Sequence, residues 1–365
     1  MSKIALLADL HIANHKAFGG PIVAGTNTRA RLALRCLQLA VQKAQEHGCT
    51  AMYLAGDIFD TVKPEPQLIR AVQELLDVPM HIGVLMGNHD QVSTQAGDHS
   101  LGPLDPVADV VSTPRVFDED GTQVVCVPFE PGPASGWLPA RVRECAPDRG
   151  AVLVTHVGIS TPTDPEFLRT AHDQVPAPLL GKIAAEHRLT TIAAGNWHTH
   201  RVFQLPTPDF AQAVQIGTLC PTGWDNPGLE AYGTMPILVD GVFKPTNVIT
   251  IPGPRFINAN LETKFSPGLS QLQVFVRFKV EADQVVAARS LGQQLVDTGT
   301  LAGFEVEVDD VEVRAAARTA ATVARSADTT EDALRGFVEQ MPLAEGIDRQ
   351  AVLARAQDYL ARGSK

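Results

Sequence analysis

Over the first 255 or so residues, short apolar runs alternate with amphipathic stretches, the pattern that a layered α/β domain imposes. Strands are predicted from Ile4 to Ala8, Ala51 to Ala55, His81 to Met86, Val124 to Val127, Ala151 to Thr155 and Thr191 to Ala194. A helix is predicted from Asn27 to His47, where Leu32, Leu34, Leu37, Leu39 and Val41 supply the apolar positions and Gly48 ends the stretch. Further strands around Ile216, from Pro236 to Val239 and from Asn247 to Ile251 complete the domain, and the Pro-Gly-Pro at 252–254 marks a boundary. Asp9, Asp57, Asn88, His156 and His198 each fall just past the C-terminal end of one of these strands. Strand ends on one edge of a sheet converge on one site.

From 268 to 313 the period changes. Leu272, Val274, Val276, Phe278 and Val280 alternate with mainly polar neighbours, a helical stretch follows from Asp283 to Val296, and Gly299 and Gly303 flank a turn. Phe304, Val306 and Val308 then alternate with Glu305, Glu307 and Asp309, which predicts a small βαβ-like module with its own core. A link rich in Ala, Arg and Thr (315–328) leads to two short amphipathic helices within 329–361. The first carries Leu334, Phe337, Val338 and Met341 on one face; Pro342 and Gly346 interrupt it. Asp348 is placed to cap the second, striped by Val352, Leu353, Ala356, Tyr359 and Leu360. Such terminal stripes either fold back on their own body or dock on another protein, and docking is the favoured reading.

The 365 residues are 44% hydrophobic and 19% charged, near globular averages, with no apolar run long enough for a membrane span. The start, MSKIALLADLH, reads as a first strand rather than a secretory signal, so a soluble, cytoplasmic protein is expected. Cys36, Cys49, Cys126, Cys145 and Cys220 are odd in number and never form a CxxC, which argues against a disulfide framework or a thiolate zinc site. The net charge of −11 argues against a broad basic surface for nucleic acid, so metal ions or a basic partner would have to compensate.

Holding two divalent ions close together takes a shared carboxylate, further hard oxygen ligands and neutral, oriented imidazoles. Asp9 and His11 form a D-x-H pair, and residues two apart in an extended turn point to the same side. Asp57 in AGDIFD is the natural bridge, Asn88 in MGNHD offers an amide oxygen, His156 in VTHVG an imidazole, and His198 and His200 in GNWHTH a second same-side pair. Each fragment alone is common. Their joint occurrence in this order, each at a predicted strand end, is not.

These motifs, at 9, 57, 88, 156 and 198, resemble those of the calcineurin-like metallophosphoesterase superfamily. Within it, AGDIFDTVKPEP, MGNHD and IGTLCPTGWDNPG resemble the nuclease subunits of SbcCD-type recombination and repair complexes, most closely the recombination endonuclease subunit of T-even phages. The resemblance implies an α/β fold: a layered β-sandwich flanked by helices (1–255), a small capping domain (268–313) and C-terminal helices that bind a coiled-coil ATPase of the SbcC kind (329–361). It implies that Asp9, His11, Asp57 and His200 hold one ion and Asp57, Asn88, His156 and His198 the other, with manganese expected and magnesium the alternative. His89 is implied as a catalytic residue facing the scissile phosphate, and Asp90 as the residue that orients its loop.

Two departures stand out: Asn196 and Trp197 precede the H-x-H pair where a glycine usually stands, and Asp60 occupies a place where some relatives have histidine. Neither removes a ligand. The implied function is a metal-dependent DNA exonuclease and endonuclease subunit, a homodimer with no membrane association, in a bacterial or phage-infected cell. The rival enzyme is a small-molecule phosphodiesterase or phosphoprotein phosphatase with the same site, supported mainly by the acidic charge. The non-enzyme rival, a scaffold for the ATPase, sits poorly with a complete ligand set.

Overall fold

The computed structural model describes residues 1–95, 97–147, 150–207, 211–224, 232–265, 273–308, 335, 338 and 348–363. In chain order, β1 (Lys3–Leu7), α1 (Thr28–Glu46), β2 (Ala51–Ala55), α2 (Pro66–Leu76), β3 (His81–Leu85) and β4 (Asp109–Val111) come first. They are followed by β5 (Arg115–Glu119), β6 (Thr122–Val127), α3 (Ala134–Cys145), β7 (Val152–His156), β8 (Gly158–Ser160), α4 (Glu166–Arg169) and β9 (Gln174–Pro176). Next are α5 (Ala177–His187), β10 (Thr191–Gly195), β11 (Arg201–Gln204), β12 (Gln212–Gln215), β13 (Gly233–Val239) and β14 (Val248–Ile251). Last come β15 (Arg255–Ala259), β16 (Val274–Val280), α6 (Val285–Asp297), β17 (Gly303–Val308) and α7 (Arg349–Gly363).

Two six-stranded mixed sheets, in the orders β14-β13-β1-β2-β3-β4 and β11-β12-β10-β7-β6-β5, form the two inner layers. The central strands are apolar on both faces because both faces are covered. In β1, Ile4 and Leu6 join Tyr53, Val124, Val154 and Ala193 in the core between the sheets. Ala5 and Leu7 face the other way, with Leu54 and Val84, onto α1 and α2. Across the second sheet, Val125, Leu153 and Ile192 pack on α3 and α5. A one-residue slip of any inner strand would exchange these two sets, so the register is firmly specified.

The strands predicted for the first 255 residues are all present within three residues of their expected bounds, and α1 begins where Asn27 caps it, its side chain accepting from the Ala30 N–H at 2.9 Å. The face that α1 buries differs from the expected one. Ala33, Cys36, Leu37, Ala40, Val41 and Ala44 are buried, whereas Leu32, Leu34 and Leu39 are only half-buried, because small side chains let the helix lie close to the sheet. The composition-neutral α2 was not anticipated, although Pro66 in its first turn and Leu68, Val72 and Leu76 four apart are a helix signature.

A three-stranded sheet, β15-β16-β17, contains both strands predicted for the βαβ-like module and one more, β15, directly after the Pro-Gly-Pro. By compactness the chain divides into Met1–Ile257 with Phe265–Val276 and Val296–Gly303, and a second unit of Asn258–Lys264, Arg277–Leu295 and Phe304–Lys365. Within the second unit, Arg277 pairs with Glu305 and, at 3.3 Å, with Glu307, and Phe278 meets Phe304 edge-on at 6.3 Å. Asp348 accepts from the Gln350 N–H at 2.9 Å and so caps α7. Leu334, Phe337 and Met341 of the first predicted tail helix, the 315–328 link, and the side chains of Ala356, Tyr359 and Leu360 lie outside the described residues.

Candidate metal centre

Strands β1, β2 and β3 run parallel in one sheet, as do β6, β7 and β10 in the other, so their C-terminal ends share an edge. After β1 the chain turns through Asp9 and His11 at φ of 53° and 45°, and after β2 through Asp57 at 54°. The two turns hold each other. The Asp9 N–H donates to the Gly56 carbonyl at 3.2 Å, and those of Leu10 and His11 both donate to the Asp57 carbonyl at 2.9 and 3.0 Å. A short acidic side chain tolerates this left-handed backbone; a histidine does so only where its surroundings fix it, as these bonds do.

Two glycines are required here. A Cβ on Gly56, whose φ is 91°, would lie 2.2 Å from His156 Nδ1, and one on Gly87 would lie 2.2 Å from Asp57 Oδ1. Asp90, fully buried, joins the same loops: its Oδ2 accepts from the N–H groups of Asp57 (2.9 Å), Gly87 (3.0 Å) and Ile58 (3.4 Å), and its Oδ1 from that of Phe59 (3.3 Å). It is a positioning residue, its carboxylate occupied by backbone.

The imidazoles are oriented from behind. His156 donates from Nδ1 to the Ala55 carbonyl at 2.6 Å, which leaves Nε2 facing Asn88 Oδ1 at 2.9 Å and Asp57 Oδ2 at 3.4 Å. His11 meets Asp60 through Nδ1 at 3.0 Å and turns Nε2 toward His198 Nε2 at 3.0 Å and Asp57 Oδ2 at 3.6 Å. His200 donates from Nδ1 to the Ile216 carbonyl at 3.0 Å. Fixing one ring nitrogen on a carbonyl or carboxylate sets the tautomer of the other, as around metal-ligating histidines.

Two buried atoms of this site, Asp9 Oδ2 and His198 Nδ1, have no hydrogen-bond partner among the described residues. The other Asp9 oxygen accepts from the Asn196 N–H at 2.9 Å. An unpaired carboxylate oxygen that is fully buried is costly unless a cation meets it. Three overlapping groups each bring ligand atoms within 4.8 Å of one another: Asp9, His11 and His198; His11, Asp57 and His89; Asp9, Asp57 and His156. Carboxylates, an amide oxygen and imidazoles in this arrangement fit two divalent cations. His200 belongs to none of these groups. His89, half exposed, belongs to one, with its ring centroid 4.8 Å from that of His11 and its N–H donating to Asp57 Oδ1 at 2.9 Å.

The charges are strongly coupled. Burial alone would raise the Asp57 carboxyl, but His156 and His11 outweigh it and hold the pKa below the ordinary value. Burial would lower His156, yet Asp57 and Asp9 push it up to about 9. Burial dominates at Asp9 and raises it, and at Asp90 burial and the Asp57 charge together push the pKa up to about 6. At neutral pH His156 therefore carries a proton that a cation taking its Nε2 would have to displace.

Several supporting residues lie outside the predicted ligand and catalytic set, Asp60 and Asn196 having entered the sequence reading only as departures from the family pattern. Asp60 orients His11 and lies 3.6 Å from His15, whose Nε2 in turn donates to the His11 carbonyl at 3.0 Å. The signal for Asp60 in the sequence is its position, three residues after Asp57, where some relatives have histidine. Thr218 donates to the Asp9 carbonyl at 2.8 Å, and Gln215, buried, reaches the Ala194 and Gly195 carbonyls and accepts from Ile159. Asn196, two residues before His198, adopts φ 78° and donates its side-chain amide to Asp173 Oδ2 at 2.7 Å.

Among solved structures, a dimetal phosphatase from Danio rerio is similar at 13% identity, covering 68% of this chain and 98% of that one with a TM-score of 0.45. A protein of Thermus thermophilus is similar at 11% identity, covering 68% and 99% with a TM-score of 0.43. A novel archaeal phosphodiesterase is similar at 12% identity, covering 68% and 99% with a TM-score of 0.33. No curated protein sequence matches the chain. The profile described as calcineurin-like phosphoesterase matches residues 2–201, a span of more than half the chain that contains Asp9, Asp57, Asn88, His156 and the His198–His200 pair. By that match, this chain belongs to the calcineurin-like phosphoesterase family.

Proposed function

We propose that this member of the family is a manganese-dependent phosphodiesterase that cleaves DNA, as the nuclease subunit of an ATPase–nuclease complex. The observation that carries metal dependence is the buried, unpartnered Asp9 Oδ2 among His11, Asp57, His156 and His198. DNA as substrate is supported by the resemblance of AGDIFDTVKPEP, MGNHD and IGTLCPTGWDNPG to such subunits. The last of these supplies Thr218, which holds the Asp9 turn.

In this reading Asp9, His11, Asp57 and His200 hold one ion and Asp57, Asn88, His156 and His198 the other. Two bound ions supply charge neutralisation at the phosphate and a water of lowered pKa. The remaining chemistry falls to the protein. Asp60 and the Ala55 and Ile216 carbonyls keep His11, His156 and His200 aimed inward. His89 Nδ1 lies 3.2 Å from the Asp60 carbonyl, an orientation that presents Nε2 outward, where it can give a proton to the leaving sugar oxygen. Such general-acid assistance amounts to roughly 10²–10⁴-fold in rate. Residues 268–313 act as the cap, 329–361 dock on the ATPase coiled coil, and two copies pair.

The test is hydrolysis of single-stranded DNA and of bis-p-nitrophenyl phosphate by the full chain with manganese, magnesium or chelator. Both substrates are expected to turn over with metal, DNA cleavage is expected to fall steeply with salt as counterion release predicts, and Asp57→Asn is expected to abolish both. Efficient turnover of cyclic nucleotides or phosphoproteins with no DNA cleavage under any divalent metal would overturn the nuclease reading. Removal of the residues after Ser326 is expected to end association with the ATPase and to spare diester hydrolysis.

A further inference from the structure

Beside the centre, on the Asn88 and His156 side, lies a cavity of about 310 Å³ lined by Met86, Gln91, Thr94, Thr113, Phe129 and Glu130, among others. Its floor is fixed by backbone: the Phe129 N–H donates to the Met86 carbonyl at 3.0 Å, and the Met86 N–H to the Val111 carbonyl at 3.1 Å. This joins the end of β6 to the loop that carries Asn88. The Phe129 ring stands edge-on to His156 with centroids 6.4 Å apart, and it is only half-buried.

One wall is an ion pair. Arg141 donates to Glu130 at 2.6 and 3.2 Å and also to Glu144 at 2.9 and 2.8 Å, so its charge is spent on carboxylates. Among its described lining residues the cavity thus has an aromatic face, hydroxyl and amide side chains, and no cation left over for a second phosphate. Its size is at the small end of the roughly 300–1,000 Å³ of small-molecule sites, suited to one ring system.

We propose that this cavity is a subsite for the nucleobase next to the scissile phosphate, with the base stacked on Phe129. The proposal rests on the nucleic-acid reading above and adds to it a contact to the substrate outside the metal centre. Every base has a π-face, so such a contact favours nucleotides without selecting sequence.

The experiment compares two diesters with one leaving group, thymidine 5′-p-nitrophenyl phosphate and methyl p-nitrophenyl phosphate, on the full chain with manganese. The readout is the ratio of their kcat/KM values, which cancels any general loss of activity. Base–aromatic stacking of ~1–3 kcal/mol corresponds to about 5- to 150-fold, so Phe129→Ala is expected to lower the ratio by that factor and Phe129→Tyr to preserve it. Thr113→Trp, at the exposed rim, is expected to lower it by filling the cavity, and serves if the alanine variant fails to fold. A ratio unchanged in both Phe129→Ala and Thr113→Trp would overturn the subsite, even if the wild-type protein cleaves DNA. A ratio that falls in both variants while the wild type leaves DNA intact would uphold the subsite and strike only the choice of DNA as substrate.

Discussion

Asp90 offers the sharpest test of how the centre is held. Its carboxylate gathers four backbone N–H groups from two loops, two of them at 2.9 and 3.0 Å and two at 3.3 and 3.4 Å. Asp90→Ala removes every acceptor and strands the Asp57 and Gly87 donors in a buried place. At ~1–3 kcal/mol for each stranded donor, the two short bonds alone give about 2–6 kcal/mol. Asp90→Asn can keep its amide oxygen where Oδ2 stood and lose only the Phe59 bond, about 1–3 kcal/mol. With a urea m-value near ~3 kcal/mol/M, the midpoint falls by about 0.7–2 M for alanine and about 0.3–1 M for asparagine. Burial and the Asp57 charge push the Asp90 pKa up to about 6, so the measurement belongs near pH 8, where the carboxylate is ionised. Urea unfolding followed by circular dichroism reads stability, and metal content after desalting reads the centre, which is expected to empty in the alanine variant. A midpoint for Asp90→Ala within about 0.2 M of wild type, or asparagine as damaging as alanine, would refute the reasoning.

His89→Gln is expected to retain two ions per chain while kcat falls by roughly 10²-fold or more; loss of an ion would make His89 a ligand, as its grouping with His11 and Asp57 permits. Away from the centre, His81 bonds Glu119 through Nδ1 and Asp109 through Nε2 at 3.0 Å, and these bonds raise its pKa above the ordinary value against the opposing effect of burial. A raised histidine stabilises the fold fully below its unfolded pKa of about 6.5 and loses that contribution as pH rises through the folded value. The stability lost in His81→Gln, measured by denaturant midpoints, should therefore be greater at pH 6 than at pH 9, and an equal loss at both would contradict the assignment.

The order of strands and the positions of Asp9, Asp57, Asn88, His156 and His198 were legible because apolar runs and the polar residues ending them are local features. Parallel pairing, with Ile4 beside Ala51 and Ala51 beside His81, then turned sequence order into spatial convergence. What escaped was whatever depends on distant partners. Asp60 stands out only as a departure from the family pattern until His11 is set against it, and Gln215 and Thr218 matter only through carbonyls distant in sequence. The apolar face of α1 was misjudged for a related reason. Leucines dominate a hydrophobicity count, but alanines decide how close a helix lies to a sheet.

The left-handed turns have a consequence for how such a protein drifts. His11 sits where an L-residue is strained by about 1–2 kcal/mol and glycine is not, and Asp9 and Asp57 hold the same left-handed backbone at a smaller cost. A library sorted only for abundance or solubility would thus find some of its gains by placing glycine at these three positions, deleting each time a ligand of the proposed metal centre. Sorting for expression and sorting for catalysis pull in opposite directions at the same codons, and a stabilised descendant of this chain should be checked there first.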